Sequence, residues 1–285
     1  MRRRRTTLMI CLSLVLMCVG LPAAEATYIP TSPSGGDSRF PYLGNSSYQV
    51  DHYDLKLRYD PATGQLDGQA SLSLTTTVRF TTGALYFDLY SDVTLHSVTV
   101  NDVPKTWTRT SADDVRVGVS PYDVWPGAKF RIGFDYTVFP LEHTSPPTHT
   151  EIAPGWQDTG EGTIVLSEPD GAHWWFPSND HPSDKATYDI TITVPPGVDA
   201  VSNGLPGLPV VGPDGWVTTT WTQDHPMATY AATVVIGSYE IERGVTRQGI
   251  SYLNAYAPGT RTEADELGRI SDYIDFLQKY LGPYP

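Results

Sequence analysis

Residues Phe176 to Pro195 read FPSNDHPSDKATYDITITVP and give the clearest indication of the fold. The first half of this stretch is rich in Pro, Ser, Asn and Asp, which are residues of turns and structured loops. Its second half places an apolar side chain at every second position from Tyr188 to Val194. This period of two is typical of a strand with one buried face and one wet face. We therefore predict a structured loop that leads into a half-buried strand.

The same alternation occurs on the N-terminal side of this stretch, in residues 53–59, 70–80, 85–89, 115–119 and 130–138. Turn sequences separate such runs, among them Asp60-Pro-Ala-Thr-Gly64 and Gly212-Pro-Asp-Gly215. No amphipathic helix is evident up to about Arg243. Strands with one apolar face are typical of antiparallel sheets, so the pattern predicts a mainly β chain.

The pattern changes near the C-terminus, where apolar residues step by three and four, at Leu267, Ile270, Ile274, Leu277 and Leu281. This spacing places side chains on one face of a helix. Thr260 with Glu263 forms a possible capping box, and Gly282 with Pro283 supplies a stop signal. We predict a helix over residues 262–281. Its apolar face requires a covering partner.

The N-terminus has the three parts of a secretory signal. Residues 2–5 are all Arg, residues 7–21 are mostly apolar, and Ala24-Glu25-Ala26 matches a cleavage site. We expect residues 1–26 to be a signal peptide, residues 27–47 a flexible leader, and the mature protein to be secreted and extracellular. Two alternatives stay open: an uncleaved membrane anchor, and a lipoprotein modified at Cys18.

Charge and cysteine content narrow the range of partners. The formal net charge of −13 repels phosphate backbones, so we expect no nucleic-acid partner. Both cysteines, Cys11 and Cys18, lie in the expected signal peptide, so the mature chain has no disulfide. We also expect no membrane association after the signal is cleaved.

The sequence lacks the common catalytic signatures. None of the seven His residues is followed by Glu, so the zinc motif HExxH is absent, and no G-x-S-x-G or nucleotide-binding glycine loop is found. The sequence therefore predicts no catalytic residue, metal ligand or cofactor site within this chain. Four tryptophans leave two alternatives open, a sugar-stacking platform or a buried aromatic core: Trp125, Trp156, Trp174 and Trp175.

Six motifs occur in the order found in the zinc aminopeptidase N family, which also includes leukotriene-hydrolase-like enzymes. They are LSEPDGA at 166–172, FPSNDHP at 176–182, KATY at 185–188, SNG at 202–204, PMATY at 226–230 and LGPYP at 281–285. The chain resembles the N-terminal region of that family over residues 48–285. It departs from the family pattern at Ser178, where Cys is usual.

The resemblance implies a saddle-shaped antiparallel β-sandwich domain over residues 48–244. Residues 245–285 would be the opening strand and helix of a thermolysin-like catalytic domain. In the family the zinc motifs follow the GPYP element, so the resemblance implies that this chain lacks the zinc site and is inactive without a catalytic half, downstream or on another chain. Glu168 matches the family residue that binds the free α-amino group of a peptide substrate.

The implied function is therefore the N-terminal part of an exported zinc metalloaminopeptidase that removes N-terminal amino acids from peptides. The alternative is a stand-alone secreted β-sandwich module that binds peptides or glycans. The predicted C-terminal helix favours the first interpretation, because a self-sufficient module has no use for it.

Overall fold

The computed structural model describes residues 35–38, 41, 43–79, 83–120, 122–142, 155–261 and 265–284. Eighteen strands and one α-helix are found in these residues. The strands are β1 Tyr48–Asp60, β2 Gln65–Thr76, β3 Ala84–Asp88, β4 Thr94–Val100, β5 Val103–Pro104, β6 Trp107–Arg109, β7 Asp114–Gly118, β8 Lys129–Val138, β9 Gly155–Asp158, β10 Gly162–Leu166, β11 Lys185–Val194, β12 Asp199–Ser202, β13 Leu205–Pro206, β14 Val210–Val211, β15 Val217–Ala228, β16 Val234–Gly237, β17 Glu240–Val245 and β18 Ser251–Tyr256. The helix is α1 Ile270–Leu281, and 3₁₀ turns occur at Pro140–Glu142, Ala172–Trp174, Thr229–Ala231 and Asp265–Arg269.

The largest sheet has nine strands in the order β13-β15-β11-β1-β2-β8-β4-β5, with β14 also paired to β15. All its pairings are antiparallel except one. At the centre of the sheet, β1 and β11 run parallel, with Tyr53 opposite Tyr188. The sequence predicted antiparallel pairing throughout, and the alternation of side chains carries no information on this point because both kinds of strand have a period of two.

Three smaller antiparallel sheets complete the β structure. One has the order β12-β16-β10-β9, the second β3-β7-β6, and the third consists of β17 and β18. The first of these carries β10, the strand that precedes Glu168. The mainly β fold predicted from the sequence is confirmed.

The core follows the predicted alternation. In β11 the alternate residues from Ala186 to Val194 are buried, and the residues between them are exposed or half-buried. The rings of Tyr53 and Tyr188 stack at 4.9 Å, and Phe176 meets Tyr53 edge-on at 5.6 Å. Aromatic pairs of these geometries add to the stabilisation from burial alone. The motif at 176–182 and the strand that follows it therefore belong to one core.

Residues 43–47, assigned to the leader by the sequence, pack against this core. Leu43, Asn45 and Ser47 are buried. Gly44 has a φ of 73°, and a Cβ at this position would lie 2.5 Å from Cβ of His181. Only glycine fits this approach, so the segment is closely packed on the loop at 176–182.

The C-terminal helix is shorter than predicted. α1 begins at Ile270, after a 3₁₀ turn at Asp265–Arg269, and ends at Leu281 with Gly282 at a φ of 91°. Thr260 does not cap it, because its hydroxyl donates to the carbonyl of Ala257 at 2.8 Å. Glu263 and residues 262–264 lie outside the described residues. The boundary predicted between residues 244 and 245 falls inside β17.

Candidate functional site

Glu168 lies on a short loop two residues beyond the end of β10. Its side chain is exposed, and among the described residues its carboxylate has no hydrogen bond or ion pair. The peptide bond to Pro169 is cis. A free carboxylate on a defined loop is able to accept hydrogen bonds from an ammonium group.

The loop that carries Glu168 is fixed at Ser167. The buried Ser167 accepts a hydrogen bond from Gly171 N–H at its carbonyl, at 2.6 Å, and one from Trp175 Nε1–H at its hydroxyl, at 3.2 Å. Trp175 is fully buried. The position of Glu168 is therefore set by the buried residue that precedes it.

Asp170 is a second carboxylate on the same loop, and sequence reasoning did not single it out. It is half-buried, and burial raises its pKa above the ordinary value. Its Oδ1 is shielded from solvent and has no hydrogen-bond partner among the described residues. A shielded, unpaired acceptor is costly unless a ligand or water satisfies it. In the sequence, the only indication of Asp170 was its position two residues after Glu168.

A buried network lies beneath this loop, centred on His173 and Asp180, and we call it the junction network. His173 Nδ1 lies 2.7 Å from Asp180 Oδ2, and the His173 N–H donates to the same oxygen at 3.1 Å. The hydroxyl of Thr229 donates to the other oxygen, Asp180 Oδ1, at 2.6 Å. The motif at 176–182 is thereby connected to the start of the 3₁₀ turn that follows β15.

Asp88, at the end of β3, extends the network to the N-terminal segment. Its carboxylate accepts the N–H of Asp180 at 2.6 Å and the N–H of Gly44 at 3.0 Å. Its backbone also exchanges two hydrogen bonds with Ser178, at 2.9 and 3.0 Å. Asp88 therefore joins three segments that are far apart in the sequence.

Asn179 and Asp184 complete the junction network. Asn179 N–H donates to the Tyr53 hydroxyl at 3.0 Å, and Asn179 Nδ2 donates to Asp184. Asp184 in turn accepts Val50 N–H at 3.1 Å. Asn45 N–H donates to Asn179 Oδ1 at 2.6 Å. The polar residues of the signature are thus used to fix the chain inside the fold.

The electrostatics of the network follow from its burial. Burial raises the pKa of Asp88 to about 8 and that of Asp184 to about 7. Burial lowers the pKa of His173, but the carboxylates of Asp113, 3.7 Å from Nε2, and of Asp180, 2.7 Å from Nδ1, outweigh this and raise it to about 10. At neutral pH His173 is therefore a buried cation held between carboxylates. This arrangement orders the loop that carries Glu168 and Asp170.

The structure decides the question left open for the four tryptophans. Trp156, Trp174 and Trp175 are buried, and their rings pack with Tyr59, Tyr90 and Phe176. They form part of the core and cannot stack on a sugar. Trp125 alone of the four is exposed, at 52% of its surface.

The residues that the structure describes do not fit a zinc site; His143, His149 and Glu151 lie outside them. In the described ranges no group of three or more His, Cys, Asp or Glu side chains is arranged to hold a metal ion. The sequence contains no HExxH motif. Within the same ranges, none of the helices is both long enough and apolar enough to span a bilayer.

Comparisons with known proteins agree with the motifs. Residues 155–231 match the Peptidase M1 N-terminal domain. The matched region includes Glu168, His173 and Asp180, together with β9 to β15.

Curated relatives are aminopeptidases. Human glutamyl aminopeptidase is 28% identical over 114 residues, which are 40% of this chain and 12% of that protein. Aminopeptidase N of Haemonchus contortus is 31% identical over 120 residues, which are 40% of this chain and 11% of that protein. The matched part is thus a small fraction of these relatives.

Solved structures give a broader match. The M1 zinc metallopeptidase of Deinococcus radiodurans is 30% identical, with a TM-score of 0.78, over 88% of this chain and 57% of that one. A two-domain M1 zinc metallopeptidase variant bound to L-tryptophan is 31% identical, with a TM-score of 0.78, over 88% of this chain and 58% of that one. The chain thus spans less than two thirds of these neighbours. The motifs, the fold and these likenesses together show that the chain is similar to the N-terminal region of M1 zinc metallopeptidases.

Proposed function

We propose that this chain provides the N-terminal part of an exported zinc metalloaminopeptidase, in which Glu168 binds the α-ammonium group of the peptide substrate. The observation that carries the proposal is the position of Glu168. It is an exposed, unpaired carboxylate on a loop fixed by Ser167, inside the region that matches the Peptidase M1 N-terminal domain.

The chemistry of a free amino terminus suits this loop. A carboxylate and an ammonium form a charge-assisted hydrogen bond that is about twice as strong as a neutral one. Asp170 is a second carboxylate on the same loop, although its Oδ1 is shielded from solvent. An acetylated peptide carries no charge for either group, so the loop would select peptides with a free amine.

Hydrolysis itself is assigned to a catalytic domain outside this sequence. The support is that HExxH is absent from the 285 residues and that related structures are described as zinc metallopeptidases. We propose that the chain needs this domain for activity. We propose export on the basis of the signal-like residues 1–26 alone.

A stand-alone secreted module that binds peptides remains the second candidate. A module that binds glycans is less well supported, because three of the four tryptophans considered for sugar stacking are buried in the core. The peptide version would use the same Glu168 loop without hydrolysis.

A chimeric enzyme tests the proposal. This chain would replace the corresponding N-terminal part of the Deinococcus radiodurans enzyme, with which it shares 30% identity. We expect the chimera to hydrolyse aminoacyl anilides. Glu168→Gln should lower kcat/KM roughly 10- to 150-fold, the range for one charged hydrogen bond.

Glu161 provides a matched control. It is an exposed glutamate just before β10, whereas Glu168 follows the same strand. Glu161→Gln should leave kcat/KM unchanged. Equal activity of the Glu168→Gln and Glu161→Gln chimeras would show that Glu168 does not bind the substrate amine. A folded chimera without any activity would contradict the proposal that this chain is the N-terminal part of an aminopeptidase.

A further inference from the structure

A groove far from the Glu168 loop in sequence has the features of a binding site. It is a cavity of about 360 Å³ between the β4–β5 hairpin and the turn at residues 125–128. Its floor is apolar, because Val100 of β4, Phe130 of β8 and Val119, which directly follows β7, are buried. One side is formed by Trp125, so we call this cavity the Trp125 groove. Its volume lies in the range of small-molecule sites.

The turn that carries Trp125 is held firmly. The Trp125 carbonyl accepts the Thr76 hydroxyl at 2.6 Å and the Ala128 N–H at 2.9 Å. Gly127 N–H donates to the Thr76 carbonyl at 2.7 Å, and Thr76 N–H donates to the Ala128 carbonyl at 2.9 Å. The indole is therefore presented by a turn fixed to the end of β2.

The opposite wall is equally well supported. Asn101 N–H donates to the Arg131 carbonyl at 2.7 Å, and Arg131 N–H donates to Asn101 Oδ1 at 2.9 Å. Lys105 N–H donates to the Val98 carbonyl at 2.9 Å. Both walls are attached to the main sheet, so a ligand would bind to a preformed groove and lose little free energy in ordering it.

The charge of the groove differs from that of the whole chain. The formal net charge is −13 and the sequence contains five lysines, yet two of them, Lys105 and Lys129, line this one cavity. Both are exposed, and neither forms an ion pair with any described carboxylate. A single carboxylate, Asp123, also lines the groove. The groove thus offers two ammonium groups without ion-pair partners beside one carboxylate.

The remaining polar groups favour a ligand with hydroxyls. Asn101, Ser120 and Asp123 line the cavity and supply donors and acceptors for hydroxyl groups. The exposed face of Trp125 suits the flat apolar C–H face of a sugar ring. The lysines suit a carboxylate. An aromatic acid would use the indole and the lysines but would leave these polar groups without partners.

We propose that the Trp125 groove binds an acidic sugar residue, with the ring on Trp125 and the carboxylate between Lys105 and Lys129. This site is independent of the Glu168 loop and of the proposed peptidase function. An exported protein with such a groove would associate with polysaccharides rich in uronic acids.

Calorimetric titration of the full chain with trigalacturonate tests the proposal. We expect saturable binding with a Kd below about 10 mM, within the range of weak specific sites. The methyl ester of the same trisaccharide keeps the rings and loses the charges, so it should bind at least about tenfold more weakly. Benzoate, which has a ring and a carboxylate but no hydroxyls, should also bind more weakly.

Variants locate the site. Trp125→Ala and the double variant Lys105→Gln/Lys129→Gln should each weaken trigalacturonate binding about tenfold or more. Lys56→Gln removes a lysine from β1, outside the groove, and should leave Kd unchanged. Thermal unfolding of each variant verifies that the fold is intact.

Three results would overturn the proposal. One is the absence of trigalacturonate binding, and another is binding that none of the groove variants weakens. The third is equal or tighter binding of the methyl ester or of benzoate.

Discussion

The junction network and the C-terminal segment of residues 240–284 show how differently one chain secures two of its regions. In the junction network, His173, Asp180 and Asp88 are almost fully buried, and their partners come from segments distant in sequence. In the C-terminal segment, α1 buries only Ile274, while Phe276 and Leu281 are 57% and 80% exposed.

Polar contacts show the same contrast. Arg247 bridges Asp272 and Asp275 of α1 at 2.7 Å each, and these side chains are all about half exposed. Such ion pairs contribute little because water and salt screen them. The comparison indicates that the junction network belongs to the cooperative core, whereas α1 is held weakly by its contacts within the described residues.

Hydrogen exchange tests most directly whether α1 is held more weakly than the core. Amides of β11 should exchange only on global unfolding, and those of α1 by local opening. We expect α1 amides to exchange about a thousandfold faster or more, because even marginal global stability is about 5 kcal/mol. Mass spectrometry of peptides from residues 187–194 and 270–281 would measure it. Equal protection would mean that α1 is part of the core.

Asp180→Ala should have the next largest effect. Removing one partner of a buried ion pair costs about 3–5 kcal/mol, and here it leaves the His173 cation without its closest counter-charge. Urea unfolding would measure the loss of unfolding free energy. The control is Asp189→Ala, because Asp189 lies 3.6 Å from His52 in a partly exposed pair, and its loss should cost less than about 1 kcal/mol. Similar losses of unfolding free energy in both variants would contradict the difference inferred between the buried and the partly exposed ion pair.

The pH dependence of stability tests the charge state of the network. The folded-state pKa values of Asp88, Asp184 and His173 are all raised, to about 8, 7 and 10. Each group therefore favours the folded state when protonated, and this contribution is lost as pH rises through those values. We expect the midpoint of thermal unfolding to fall between pH 6 and pH 9.

Asp88→Asn provides the control for that measurement. The amide keeps an oxygen that can accept the N–H groups of Gly44 and Asp180, and it does not titrate. The fall in the midpoint should therefore be smaller in this variant. An equal fall in both proteins would show that Asp88 is not responsible.

Ser178→Cys should change the unfolding free energy least, and the direction of the change is informative. Ser178 is fully buried, and its hydroxyl has no partner among the described residues. A thiol of similar size is a weaker hydrogen-bonding group, so it costs less to bury without a partner. We expect the variant to gain about 1 kcal/mol in unfolding free energy by urea denaturation. A loss of stability would indicate that the hydroxyl is satisfied.

The sequence predicted the fold well where a simple periodicity governs it. Alternating apolar residues located β1, β2, β8 and β11, since burial of one face requires that pattern. The pattern could not predict the parallel pairing of β1 with β11. Nor could it predict the start of α1, because Leu267, the first residue of the expected stripe, lies in a 3₁₀ turn.

The candidate site was less predictable. The motif at 176–182 was recognised, but its polar residues gave no sign that they would be buried. Their burial depends on Asp88 and Thr229, which are 92 and 49 residues from Asp180 in the chain. Contacts at such separations have no local sequence signal. Glu168 was found only through the family resemblance, and its assigned role stays a prediction.

The parallel pairing of β1 and β11 has a consequence for how the chain is made. Paired residues of these strands are 135 positions apart. At ribosomal rates of 5–20 residues per second, β1 waits about 7–27 s before its partner strand has emerged. During that interval one edge of β1 is open to any strand nearby. Until β11 has emerged, β1 is therefore exposed to pairing with a wrong strand.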